Sequence, residues 1–203
     1  DSPTGKFTFL GASRANAGFT PVNMTEVDAA FDAALIPPER SLPTGDSDEV
    51  LRLWTPQEHF VVLGYANKVA TEVNLPLCRS LSIPVMRRCS GGGTVLQGPG
   101  VLNYSLILRI DPSGPCHNIS ATNKFILERH RDTLAKLTAA PVEWQGQSDL
   151  AVGGLKFAGN AQRRRHRFLL FHGAFLLHLD INLVEKALPL PSRQPDYRVN
   201  RSH

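Results

Sequence analysis

The sequence predicts an α+β fold of antiparallel or mixed sheets flanked by helices, and three observations predict it. Strand-like stretches outnumber helical ones, and most are joined by short turns, which favours antiparallel pairing. The helical stretches fall between groups of strands instead of alternating with them one by one. The most glycine-rich segment leads into a strand, whereas a doubly wound parallel sheet would open a helix there.

Taken in order, GKFTFLG near the start reads as a short strand. MTEVDAAFDAAL, residues 24 to 35, places apolar residues at helical spacing behind a Thr25 cap. The proline-rich polar segment IPPERSLPTGDSDE is a loop. EVLRLWTP and HFVVLGYA read as strands, and NKVATEVNLPLCRSLSI as a helix broken by Pro76 and resumed. PVMRRCSGGGTVL and GVLNYSLILRI look like two strands joined through a glycine-rich turn. Residues 119 to 138 form the clearest amphipathic helix. VEWQGQSDLAVGGLKFAGNAQ then leads through the basic turn RRRHR into a long apolar strand, FLLFHGAFLLHLD. DINLVEKAL is a short helix, and the tail LPSRQPDYRVNRSH is polar.

At 203 residues, 42% hydrophobic and 20% charged, the chain fits one domain, spanning residues 1 to 203, with a sizeable core. A formal charge of +4 favours anionic ligands without implying nucleic acid. Three cysteines, Cys78, Cys89 and Cys116, are too few and too irregular for a disulfide framework or a zinc site, so a reducing, cytoplasmic setting is expected. No apolar run approaches the ~18 residues of a membrane span, and no membrane partner is expected. The chain starts at Asp1 without methionine and ends in YRVNRSH without a cap, which leaves both natural ends open.

Chemistry concentrates in two stretches. In RRCSGGGTVLQGPGVLNYSLIL, residues 87 to 108, Gly91, Gly92 and Gly93 permit positive φ and let a ligand approach backbone N–H groups. Arg87 and Arg88 sit at the loop's edge, where strand alternation turns only one of them toward it. An arginine there holds a carboxylate or phosphate through paired hydrogen bonds. The local pattern leaves a second reading open, a glycine hairpin with two solvated arginines. In GGLKFAGNAQRR, residues 153 to 164, a lone lysine, Lys156, stands between Leu155 and Phe157. On a buried strand its ammonium needs an anion. On an edge strand it would serve only to block aggregation.

Together, RRCSGGGTVLQGPGVLNYS, SDLAVGGLKFAGNAQRR and FLLFHGAFLL resemble, in order and spacing, the lipoate–protein ligase A family of the biotin/lipoate protein ligase superfamily. The agreement runs from about residue 54 to residue 180. The resemblance implies a catalytic domain related to class II aminoacyl-tRNA synthetase cores. It also implies an enzyme that uses Mg-ATP to convert lipoate to lipoyl-AMP and passes the acyl group to a lysine of a lipoyl carrier domain. Carried over residue by residue, it places Arg88, Ser90, Gly91, Gly92 and Gly93 at the acyl-adenylate loop and Asn103 near nucleotide and metal. Asp149 of SDL falls at the acidic position for adenylate or Mg2+. Lys156 matches the lysine that contacts the carboxylate and activated carbonyl. Gly159, Asn160 and Ala161 continue that loop, and His172 lies on the pocket strand.

The chain departs from the family pattern in three ways. Gln97 stands where many members have histidine, and Ala174 replaces the usual threonine. Nothing after residue 190 is long enough for the small accessory domain of two-domain ligases, which leaves three readings: a naturally short ligase, one that works with a separate accessory subunit, or one that has lost the activation half-reaction. The competing activity is octanoyl transfer between carrier proteins through a cysteine thioester, without ATP, yet no cysteine occurs between Gln145 and His203. Cys89 reads as packing. RRRHR, residues 163 to 167, reads first as a solvated turn, next as a dock for an acidic carrier, and last as a nucleic-acid patch. His172 and His178 would share a face of one regular strand, and the histidines show no metal-site spacing.

Overall fold

The computed structural model describes the backbone of residues 8 to 10 and the chain from residue 49 to 189. The expected helix at 24–35, the proline-rich loop and the C-terminal tail lie outside these residues. Ten strands and four helices are described. The strands are β1 (Thr8–Leu10), β2 (Val50–Trp54), β3 (Phe60–Leu63), β4 (Val85–Arg87) and β5 (Val95–Gln97), then β6 (Val101–Arg109), β7 (Val142–Gln145), β8 (Asp149–Val152), β9 (Leu155–Arg165) and β10 (Phe168–Leu176). The helices are α1 (Val69–Glu72), α2 (Leu75–Ser80), α3 (Ile119–Thr138) and α4 (Ile181–Ala187). The strands form a seven-stranded sheet, ordered β1-β2-β6-β10-β9-β8-β7, and a three-stranded sheet, ordered β4-β3-β5. This is the α+β fold the sequence predicts, with two parallel pairs, β1–β2 and β3–β4, among antiparallel ones.

The chain divides into two compact units. In the first, residues 103 to 175 carry most of the large sheet and α3. Asn118 caps α3 by accepting a hydrogen bond from the Ala121 N–H at 2.8 Å. Ile126 and Leu127 of the helix pack with Leu150, Ala158, Leu169 and Phe171, so one face of the sheet is sealed by α3. His130 belongs to this layer, edge-on to Tyr104 at 4.9 Å between ring centres, and its buried Nδ1 has no hydrogen-bond partner. Burial holds the His130 imidazole below its ordinary range because the charged form is desolvated. The unfolded chain therefore binds that proton more readily than the folded one. Stability should be full above the ordinary histidine range, near pH 6.5, and decline as pH falls from there toward the lowered value. Thermal unfolding from pH 7.5 to 5 checks this: His130→Phe should flatten the acid-side decline, and an unchanged slope would contradict it.

In the second unit, Val61, Leu63, Val85 and Leu96 of the small sheet pack against Val73, Cys78, Val184 and Leu188. The helical stretch breaks at Val73–Asn74, ahead of the expected Pro76, and Pro76 sits in the first turn of α2, where a missing N–H costs nothing. Asn74 caps α2 by accepting from the Leu77 N–H and donates to the Lys186 and Ala187 carbonyls at the end of α4. The glycine run does not join a hairpin. β4 and β5 lie on opposite sides of β3, so residues 88 to 94 cross over the end of that strand.

Candidate active site

The crossover around the glycine run is shaped by both arginines, contrary to the strand alternation that would turn only one inward. Arg87 Nη1 donates to the carbonyls of Gly64, Tyr65 and Asn67 at 2.8–2.9 Å, pinning the turn after β3. Arg88 Nη2 donates to the Gly91 and Gly93 carbonyls, both at 2.7 Å, and Nε to Gly91 at 3.2 Å. Turning carbonyls onto one guanidinium gathers them on one side of the loop. Burial lowers the Arg88 guanidinium to about 10, still charged at neutral pH. The arginines are thus neither solvated nor arranged as a bare anion clamp; they hold the run from within. Ser90 is fully buried, and its carbonyl accepts from the Tyr65 N–H at 2.9 Å. Gly91 and Gly93 face open space, and Gly92 has φ +92°, which requires glycine.

Gly64 lies directly beneath this run, and a Cβ there would overlap the Gly92 carbonyl. Gly64→Ala is expected to cost about 1–3 kcal/mol through overpacking, lowering the unfolding temperature by roughly 3–10 °C. A melting curve superposable on the native one would show that the run moves freely.

In the other unit the remaining predicted residues, Asn160 excepted, collect on one face of the large sheet. Asp149 pairs with Gly159, Gly159 with Ala174 and Ala161 with His172, so all five share a face. It is the face opposite α3, which Leu150, Ala158 and Phe171 occupy. The Tyr104 ring packs on the α3 side, which turns its neighbours Asn103 and Ser105, both buried, to the Asp149 side.

Lys156 reaches this face through a register shift. Leu150 pairs with Ala158, but Ala151 pairs with Lys156, so Phe157 is an extra residue on β9. In a regular strand Lys156 would share the α3 face with Ala158 and Asn160. The bulge reverses this, and Lys156 Nζ lies 2.9 Å from Asp149 Oδ1. The lysine side chain is 34% exposed and the aspartate 11%, so the pair sits at a partly solvated surface. Gly159 leaves room for it, since a Cβ there would sit 3.0 Å from Nζ.

Asn160 is a correction. Its side chain lies on the α3 face, accepts from the Tyr104 hydroxyl at 2.5 Å and donates to the Ser148 carbonyl at 2.7 Å. Its amide groups are committed to the scaffold, away from Lys156. Arg164 points the same way, donating to the Cys116 and His117 carbonyls and to Thr122 Oγ1. RRRHR is therefore not a free turn: Arg163–Arg165 belong to β9, and only His166 and Arg167 form the bend. That bend lies nine strand residues from Lys156, about 30 Å at ~3.3 Å per residue. His178 does not share the face of His172, because β10 ends at Leu176 and the His178 N–H turns back to the Gly100 carbonyl.

Sequence reasoning missed Gly64, Tyr104 and Ser148, and it named Arg87 without its carbonyl partners. Ser148 stood in a recognised motif and Gly64 followed a strand, yet neither carried a local sign of its partner. Gln97 is buried on β5 opposite Phe60, and Ala174 lies opposite Gly159. None of the three thiols forms a disulfide, and burial pushes those of Cys78 and Cys116 up. Among the described residues no three His, Cys, Asp or Glu side chains converge as a metal site, and no helix is long and apolar enough to cross a membrane.

The family model of the lipoyl protein ligase A/B catalytic domain matches residues 29–202. Subunit 1 of lipoate–protein ligase A from Thermoplasma acidophilum is 29% identical over 182 residues, covering 86% of this chain and 66% of that protein. Lipoate–protein ligase 1 of Staphylococcus aureus is 31% identical over 63% of this chain and 37% of its own length. The octanoyltransferase LipM of Clostridioides difficile is 26% identical over 71% and 59%, respectively. Among solved structures, the bi-partite ligase of T. acidophilum, described with its E2 lipoyl domain, superposes with a TM-score of 0.69 at 26% identity, covering 81% of this chain and 61% of that one. Lipoate–protein ligase A bound with ATP gives 0.68 at 27%, covering 80% and 66%. The chain thus spans 37 to 66% of the length of these relatives.

Proposed function

Because the chain belongs to the lipoyl protein ligase A/B catalytic domain family, we propose that it is the catalytic part of an ATP-dependent lipoate–protein ligase. A carboxylate oxygen of lipoate attacks the α-phosphorus of ATP, pyrophosphate leaves, and lipoyl-AMP results. The amine of a carrier-domain lysine then attacks the acyl carbonyl and AMP departs. The observation that carries this reading is the Lys156–Asp149 pair, seated on a sheet face with Asn103, Gly159, Ala161 and His172. A fixed ammonium there stabilises negative charge on the carbonyl oxygen and phosphate as the amine attacks. The glycine run offers backbone N–H groups to phosphate, with Arg88 shaping the loop. Relatives of known structure contain ATP in one case and lipoic acid in another, which supports these substrates.

Among the described residues, magnesium fits as an ion carried mainly by nucleotide phosphates and water, with Asp149 as its protein ligand. Bound so, it would neutralise phosphate charge. The partners are a lipoyl carrier domain and a separate accessory subunit, in line with a relative named as one subunit of a bi-partite ligase. A reducing, cytoplasmic setting is part of this reading, from three cysteines too few and too irregular for a disulfide framework.

Octanoyl transfer without ATP is the competing activity, since relatives bear that name. It needs an accessible thiolate at the reacting carbon. Cys78 and Cys116 are buried with raised thiol values, which leaves that route to Cys89, half-buried in the arginine–glycine loop. The mass of an apo lipoyl carrier domain after incubation with the protein, lipoate and Mg-ATP separates the two. An ATP-dependent lipoyl gain, with the chain alone or with an accessory subunit added, supports the ligase. Octanoyl gain from an octanoylated carrier without ATP would replace it.

A further inference from the structure

The sheet face that carries Lys156 is tied to the face beneath it by a short relay. Asn160 and Ser148 are joined twice: Asn160 Nδ2 donates to the Ser148 carbonyl at 2.7 Å, and Ser148 Oγ donates to the Asn160 carbonyl at 2.8 Å. Ser148 immediately precedes Asp149, so these two bonds fix the peptide that leads into the carboxylate partner of Lys156. The Asn160 amide can face only one way, because the Ser148 carbonyl accepts and never donates. Its Oδ1 therefore points at Tyr104, whose hydroxyl donates to it at 2.5 Å.

Tyr104 is itself held rigidly. Its ring stacks on Phe175 at 5.4 Å, meets His130 edge-on at 4.9 Å, and is 3% exposed. Burial pushes the phenol upward, so the hydroxyl stays a proton donor. The bond exists because β10 presents no side chain at the crossing. Gly173 pairs with Asn160, and a Cβ there would overlap Asn160 Oδ1 and press on the Tyr104 ring at 2.8 Å. A second tie braces the same turn: Gln162 donates to Asn123, which donates to the Gln147 carbonyl at 3.0 Å.

We infer that Tyr104, admitted by Gly173, is a positioning residue for acyl transfer, which through Asn160 and Ser148 sets the Asp149 carboxylate against the Lys156 ammonium. The inference rests on the ligase reading above and assigns Tyr104 and Gly173 a part in rate that neither takes by touching substrate. Displacements of about an ångström at a reacting group cost up to ~100-fold in rate, and the relay's last member is one residue from the ion pair.

The test is steady-state lipoylation of an apo carrier domain by the full chain, with any accessory subunit the native protein requires. Tyr104→Phe and Gly173→Ala are each made in the native and the Asp149→Asn backgrounds, and melting temperatures are recorded alongside. Tyr104→Phe keeps the ring and its stacking, so it carries the test should Gly173→Ala not fold. In the native background kcat should fall about tenfold or more, with KM for lipoate within about twofold. In Asp149→Asn the same substitution should change kcat less than about twofold, because the group it positions is already gone. An unchanged kcat, or equal losses in both backgrounds, would overturn the inference and leave Tyr104 a packing residue. A native protein that transfers nothing overturns the ligase reading and this inference with it, a result distinct from active variants beside an active native protein.

Discussion

Lys156→Ala is expected to lower lipoyl transfer by about two to three orders of magnitude while leaving the fold in place. The loss follows from position: the ammonium is aimed by the Phe157 bulge, held 2.9 Å from Asp149 Oδ1 and given room by Gly159. Arg164 of the same strand cannot stand in for it, because its guanidinium is spent beneath the sheet. Stability should change by about 1 kcal/mol or less, because the lysine side chain is one-third exposed and water screens the pair. Lys156→Arg should recover little: a planar fork with fixed donors does not replace a compact ammonium beside Gly159. Single-turnover transfer and a thermal melt on the same preparation are decisive. Near-native transfer by Lys156→Ala would remove the lysine from the chemistry.

Gly100→Ala should be the most damaging small substitution for stability in the described chain. Gly100 has φ +86°, where a Cβ costs about 1–2 kcal/mol by itself. The new atom would also overlap the backbone carbonyl of His178, which cannot swing aside as a side chain can. The Gly100 carbonyl accepts from both Leu177 and His178 N–H groups at 2.9 Å, so any retreat lengthens two hydrogen bonds together. The sum is about 3 kcal/mol or more, or roughly 6–12 °C in melting temperature. Gly100→Asn separates the causes. Asparagine tolerates positive φ yet carries the same Cβ, so it should melt almost as early as the alanine variant. A drop below about 2 °C for alanine would show that the 177–178 segment yields.

How far the sequence could be read depended on the range of the interaction that decides each feature. Helix α3 was legible to the residue because its cap, apolar spacing and end are local. The glycine run and the lone lysine were legible as sites of chemistry because their composition is unusual within a few positions. Strand partners were not. β4 and β5 look like the arms of a hairpin, and only the insertion of β3 between them, set by packing of Val61 and Leu63, reveals a crossover. Arg87 and Arg88 were read by alternation, which fails where β4 ends and the chain turns under its own carbonyls. Asn160 was grouped with Lys156 by the family motif, yet the register shift at Phe157 puts their side chains on opposite faces.

That shift also divides β9 into two segments of different phase. Beyond the bulge, side chains alternate in phase with the layer under α3; before it, Leu155 and Lys156 follow their β8 partners Val152 and Ala151 and the hairpin bend at Gly153–Gly154, which has open space around it. The bend can therefore be lengthened, shortened or recomposed without repacking the interior. A strand that ran straight through residues 156 to 158, without the bulge, would instead turn the lysine to the wrong side while leaving the hydrophobic layer intact. Such a protein would fold, melt normally and do no chemistry. The most consequential change at this strand is one of phase alone, which a stability screen would never detect.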